Sequence, residues 1–393
     1  MTRTAIIVGG GIGGLTTALA LERNGWRVEL YEQAPEFGPV GAGIGIAPNA
    51  VKALDHLGLG AALRRRGMRQ EGLEIRARSG RRVTGIDAEA IERRFGAPFI
   101  TLHRAELHSL LLDALDNVAL HTGHRAIDVT DTGDGASLTF DGPDGVVERS
   151  ADLVVAADGV HSRIRAGLFP DYPGPAYAGY TVWRGIVAAD DASRIGVEAV
   201  LAETWGRGAR FGIAPINDGQ VYWFACEDMS EGAVPEHDLD LLARRFNRWH
   251  APIPQLLAAT PPASLLRHDV YYLDTSLPGF VRGRTALLGD AAHAVTPDIG
   301  QGACLSIEDG VTLAAAFEAH GTEAGLNAYD AVRRPRTEGM AQMSGRLGRL
   351  LQTTSPVVAG VRDTVARALP GSLFLRFAGS AFAWEPPGLG PIP

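Results

Sequence analysis

Within residues 5–31 the spacing of apolar positions switches from strand to helix and back. Ala5–Val8 is an unbroken apolar run, Gly13–Asn24 repeats at helical spacing with Gly25 as a stop, and Arg27–Tyr31 returns to a strand. That succession is a βαβ unit. Leu73–Ile86 alternates about Ser79-Gly80 as a hairpin does, whereas Arg104–Leu115 has the spacing of an amphipathic helix. Leu153–Ala157 is a second continuous apolar strand. Tyr177–Ala188, Ala199–Trp205, Ala209–Ala214 and Gln220–Cys226 then read as one antiparallel sheet. Asp240–Trp249 reads as a helix, Thr285–Leu288 as a returning buried strand and Ala303–Phe317 as an apolar helix.

These elements imply an α/β chain (α+β overall). A Rossmann-like domain is assembled from separated segments, an antiparallel-sheet domain is inserted between them, and a helical C-terminal tail follows. The expected boundaries assign residues 1–72, 101–175 and 269–346 to the dinucleotide domain. A β excursion at 73–100 and the sheet at 176–268 form the second domain, and 347–393 the tail, which would cover the other domains or serve a homodimer.

Composition narrows the partners. The 393 residues carry 37 basic and 45 acidic side chains, a formal charge of −8, which argues against nucleic acid or an anionic membrane as principal partner. Two cysteines, Cys226 and Cys304, are too few for a disulfide framework and suit a reducing cytoplasm. The apolar run after Met1 is too short for a signal peptide, so the chain is expected to open on its first strand, and no run approaches the roughly 20 residues of a membrane span. No spacing of metal ligands and no Gly-x-Ser-x-Gly elbow occurs, so neither a metal nor the usual hydrolase chemistry is expected.

The chemistry lies in glycines and carboxylates at strand ends. Gly9, Gly11 and Gly14 satisfy G-x-G-x-x-G, with Gly13 inside it, directly after a strand and at the start of a helix. Such glycines let backbone amides approach a pyrophosphate at the positive end of the helix, while Glu32, with Gln33 beside it, ends the next strand where a ribose hydroxyl needs an acceptor. Asp158-Gly159 follows the strand Leu153–Ala157; Asp158 would either serve a nucleotide or cap the next helix. Gly289-Asp290 repeats the strand-glycine-carboxylate pattern, and Gly300-Gln301-Gly302 opens a helix whose amides favour an anion.

In this order the motifs resemble the para-hydroxybenzoate hydroxylase family of FAD monooxygenases, over essentially residues 1–345. The resemblance implies that Gly9, Gly11, Gly14 and Glu32 bind the ADP half of FAD, that Arg104 is aimed at FAD, and that Asp158-Gly159 serves both FAD and NADH or NADPH. Asp290 would bind the ribityl chain, and Pro297 with Gly300–Gly302 would border the isoalloxazine. Val40–Ile46, including Gly45, resembles the mobile loop beside the flavin. The implied reaction consumes NAD(P)H and O2 and hydroxylates an electron-rich small aromatic or heteroaromatic molecule through a C4a-hydroperoxyflavin. An epoxidase or an indole or polyketide oxygenase of specialised metabolism is one alternative, and a non-catalytic FAD-binding redox sensor another.

On the substrate side, Arg210, Tyr222 and Asp298 resemble the residues that surround the purine in FAD-dependent urate hydroxylases. Arg210 would hold an anionic oxygen, Tyr222 would bond a ring substituent and Asp298 would orient a base or water, making these the candidate catalytic residues. A solvated Arg210 and a core Tyr222 are the competing readings. Register decides part of this: a two-residue turn at Asp218-Gly219 puts Arg210 and Tyr222 on opposite faces, and a three-residue loop puts them on one. Thr181-Val182-Trp183-Arg184-Gly185 departs from the urate enzymes and is closer to general aromatic or polyketide hydroxylases. His293 reads as a packed structural histidine rather than a base.

Overall fold

The structure is a computed structural model, and it describes residues 2–38, 42–368 and 371–387. A six-stranded sheet runs in the order Val281–Arg282, Thr285–Leu287, Leu153–Ala156, Thr4–Val8, Arg27–Tyr31 and Ala119–His121, parallel except at its first pair. Its central strands come from widely separated parts of the chain and are buried on both faces, which is why they read as unbroken apolar runs. Ile12–Arg23 packs on this sheet and against the long helix Gly302–Leu351, close enough that a Cβ on Gly310 would lie 2.9 Å from the Thr17 amide nitrogen. The long helix is broken at Gly321, whose φ of 73° is not helical. Helices Pro356–Ala368 and Gly371–Phe382 form the tail.

The second large sheet has seven strands, in the order Leu266–Tyr272, Ala176–Val187, Val221–Asp228, Ala209–Pro215, Leu201–Trp205, Gly72–Ala77 and Arg82–Asp87. The expected hairpin around Ser79-Gly80 therefore lies at the edge of this sheet. The expected all-antiparallel pairing is corrected: the sheet is mixed, because Leu201–Trp205 pairs in parallel with Gly72–Ala77. That pairing joins strands far apart in sequence, and alternation within either strand carries no information on it. A three-stranded antiparallel meander over Arg125–Ala151 was not anticipated; its outer strands are largely exposed, so it lacks an apolar signature.

The faces of the seven-stranded sheet differ. One buries Trp183, Phe211 and Trp223 beneath the helices Asp238–Phe246 and Ile253–Ala258. By register the other carries Tyr180, Val182 and Arg184, then Tyr222, Phe224 and Cys226, then Arg210 and Gly212. This second face is turned toward the dinucleotide domain. No helix among the described residues is long and apolar enough to cross a membrane.

Candidate active site

The fingerprint turn is shaped by close approach. A Cβ on Gly9 would lie 2.3 Å from the Ala157 carbonyl oxygen, and one on Gly14 only 1.9 Å from the Gly9 oxygen, so neither position has room for a side chain. The Ile12–Arg23 helix starts from Gly11 without a side-chain cap, and nothing lies within 4 Å of a Cβ built there. Its free amides and positive end suit a phosphate. Glu32 accepts from the Gly10 amide at 2.6 Å and the Ala34 amide at 2.8 Å, so it braces the glycine turn and keeps lone pairs for a hydroxyl. Gln33 is exposed beside it.

Asp158 does what a capping residue does. It accepts from the Ser162 hydroxyl at 2.6 Å and from the amides of Arg163 and Ile164, starting the short helix Arg163–Leu168, with Gly159 at a φ of 83° beside it. Asp290 differs, because among the described residues its carboxylate accepts no hydrogen bond. It lines an open recess, its side chain reached by solvent: the surrounding protein lifts its carboxyl above the ordinary range, and His293 and Arg104 oppose that lift. Arg104 faces the same recess, held below the usual arginine range by burial, with Asp290 opposing and Arg184 adding to the fall. A carboxylate with free lone pairs, a guanidinium and two uncapped helix starts are the donor and acceptor set that a ribityl diphosphate requires.

The second uncapped start is that of Gly302–Leu351. Pro297 and Gly300 are exposed before it, but the Gln301 side chain is fully buried and takes Asn49 Nδ2 at 2.9 Å. Only the backbone of Gln301 can therefore border a ring at this turn. Asn49 also donates to Glu308 at 2.6 Å, and Glu308 and Asp309 hold Arg333 at 2.6 Å each. His293 closes this buried network on Asp309 at 2.6 Å, as expected of a structural histidine. The network escaped the sequence reading because its members lie 16 to 259 positions apart.

Of the expected mobile loop, Val40 and Gly41 lie outside the described residues. The remainder corrects the expectation, since Gly43–Ile46 is a strand paired with Ile100–His103. Its glycines give room to rings: a Cβ on Gly43 would meet Tyr222 Cγ at 2.3 Å, and one on Gly45 would meet Phe99 at 2.8 Å.

On the substrate side the turn is a three-residue loop, Asn217–Gly219, and Arg210 and Tyr222 share one face. They do not share a pocket. Arg210 opposes Cys226 and Tyr222 opposes Ala214, a separation of four residues, or about 13 Å along the strand. Arg210 is fully buried, its guanidinium 2.5 Å from Asp298, 3.2 Å from Glu203 and 2.8 Å from Gln352. Asp298 also accepts from Tyr180 at 3.2 Å, and a Cβ on Gly348 would lie 2.3 Å from its carboxylate. The long helix thus roofs the ion pair, and Arg210 and Asp298 face each other within a buried cluster.

Tyr222 keeps a cleft position, beside Phe224 with ring centroids 6.2 Å apart. Its hydroxyl is raised by burial and pulled back by Arg184, which lies against it. Arg184 in turn donates to His268 Nδ1 at 3.2 Å. Neither Arg184 nor His268 was singled out as a site residue, although alternation along Tyr180–Ile186 puts Arg184 on the face that Tyr180 occupies.

Residues 2–344 match the FAD binding domain family. The chain is 38% identical over 379 residues to an aurachin C monooxygenase/isomerase of Stigmatella aurantiaca, covering 93% of this chain and 94% of that protein. It is 35% identical over 344 residues to an FAD-dependent urate hydroxylase of Klebsiella pneumoniae, covering 86% and 87%. Its fold superposes with a TM-score of 0.89 on the crystal structure of Klebsiella pneumoniae HpxO complexed with FAD and uric acid, at 31% identity over 97% of this chain and 96% of that one.

Proposed function

Because the chain belongs to the FAD binding domain family and is a group A FAD-dependent aromatic monooxygenase, we propose that it uses NADH or NADPH and O2 to hydroxylate an electron-rich aromatic or heteroaromatic small molecule. The observation that carries this reading is the recess between the two sheets. Arg104, Asp290 and two uncapped helix starts line one side, and the half-buried rings of Tyr222 and Phe224 line the other. A flavin and a flat substrate suit such opposed walls.

Gly9, Gly11 and Gly14 would admit the pyrophosphate to the helix amides, and Glu32 would accept from the ribose. Asp290 and Arg104 would hold the ribityl chain and its phosphate, with Pro297 and the backbone at Gly300–Gly302 along the ring. Bound FAD supplies the electron transfer and the activation of oxygen. The protein orients the substrate against the Tyr222 and Phe224 rings and restricts water where the Gly43–Ile46 strand closes on Tyr222.

The FAD-loaded protein should oxidise NADH or NADPH faster in the presence of its substrate, and mass spectrometry should find one added oxygen atom derived from O2. Urate, hydroxybenzoates, hydroxynicotinate and indoles form the panel. Failure of every compound to stimulate oxidation would sink the reading. The likeness to a monooxygenase/isomerase over nearly the whole chain favours one second reading, oxygenation followed by isomerisation; a product with the added oxygen and a rearranged skeleton would select it.

A further inference from the structure

Arg184 is the guanidinium on the cleft-facing side of the seven-stranded sheet that lacks an acidic partner. Its counterpart on that face, Arg210, is neutralised by Asp298 and Glu203 and is sealed from solvent. Arg104 looks across the recess to Asp290. Among the described residues no carboxylate comes within 4.0 Å of Arg184, whose neighbours are the neutral ring nitrogen of His268 at 3.2 Å and the Tyr222 hydroxyl. His268 offers no compensating charge, since burial, Arg184 and Arg104 all hold its pKa below the ordinary value of 6.5.

The surroundings are aromatic. Phe224 stands opposite Arg184 in the register, and its ring lies over Gly212, where a Cβ would come within 2.0 Å of it. Tyr222 continues the floor toward Gly43. A half-buried cation at the edge of an aromatic floor calls for a flat ligand with an anionic oxygen at its rim, because a charge-assisted hydrogen bond then replaces the water that the guanidinium gives up.

We propose that Arg184, flanked by Tyr222 and His268, recognises a carboxylate of the substrate, while the sealed Arg210–Asp298 pair acts only as a positioning cluster. This rests on the reading of the chain as an aromatic hydroxylase. It also gives the Thr181–Gly185 segment a part in specificity, since Arg184 sets which compounds enter.

Full-length FAD-loaded protein, wild type and with Arg184→Gln or Arg184→Lys, is titrated with two acid and neutral pairs, salicylate with salicylamide and 4-hydroxybenzoate with its methyl ester. Dissociation constants are read from the flavin absorbance. The wild type should prefer each acid by about 10-fold or more, the strength of one charge-assisted hydrogen bond. Arg184→Gln should abolish that preference while changing affinity for the neutral partners by less than about 3-fold, and Arg184→Lys should restore part of it. Flavin content and the KM for NADH and NADPH should stay unchanged, which separates a substrate anion from a nicotinamide phosphate. Three results would each overturn the proposal: no acid preference in the wild type, a preference that survives Arg184→Gln, or an effect confined to the nicotinamide nucleotide. Acid preference without an oxygenated product would instead remove the hydroxylase reading and leave Arg184 as an anion site.

Discussion

Arg210 and Tyr222 lie on one face of one sheet, yet removing them should have different consequences. Arg210→Ala strands Asp298 and Glu203 in a buried position without their cation, and loss of one partner from such a cluster costs about 3–5 kcal/mol. Urea and thermal unfolding should register that loss even in the absence of substrate. Tyr222→Phe removes a single hydroxyl beside Arg184 and should change stability by no more than about 1 kcal/mol, with its main effect on ligand affinity. Asp290→Asn keeps the shape of the recess but replaces a free acceptor by an amide, and it should reduce the flavin content of the purified protein, read as the ratio of visible to ultraviolet absorbance.

Among the elements, the long helix does the most to fix the site. Its first part presents Glu308 and Asp309, its second part presents Arg333, and the two meet across the break at Gly321. Asp309 shows how strongly this staple is charged. Burial would raise its carboxyl, but His293 and Arg333 outweigh burial and lower it from 3.8 to about 2. A carboxylate with a depressed folded-state pKa stabilises fully above its unfolded value, and that contribution is lost as the pH falls through the folded value. The pH-dependent part of the stability difference between parent and Asp309→Asn should therefore be about 2 kcal/mol near neutrality and should fade between about pH 4 and pH 2, followed by urea midpoints across that window.

For the whole molecule, ligand binding and folding are linked. Free FAD at 100 times its Kd should stabilise the protein by about 2.7 kcal/mol, seen as a concentration-dependent rise in Tm. How much of this architecture could be read beforehand depended on range. The βαβ unit, the hairpin at Ser79-Gly80 and the strand-glycine-carboxylate endings were legible because each signal lies within a few dozen residues. The parallel pairing of Gly72–Ala77 with Leu201–Trp205 was not, since strand alternation is blind to partner choice. The capture of Arg210 by Asp298, 88 positions away, was equally hidden, because a lone arginine in a strand reads the same whether it meets a ligand or a buried carboxylate. The glycines of Gly43–Ile46 belong to a stretch that resembles a mobile loop, and they seat aromatic rings, two demands that a small side chain meets equally well.

The match to the FAD binding domain family ends at residue 344, but the roof over Asp298 is Gly348, and Gln352 bridges Arg210 to Asp228. Arg362, from the tail, donates to the carbonyls of Leu351 and Gly206 and so ties that roof down to the sheet. The seam drawn by resemblance is thus not a seam of the molecule. A chimera or truncation cut there would open a charged interior to water, and swapping substrate sheets between relatives requires carrying the last helical turns with them.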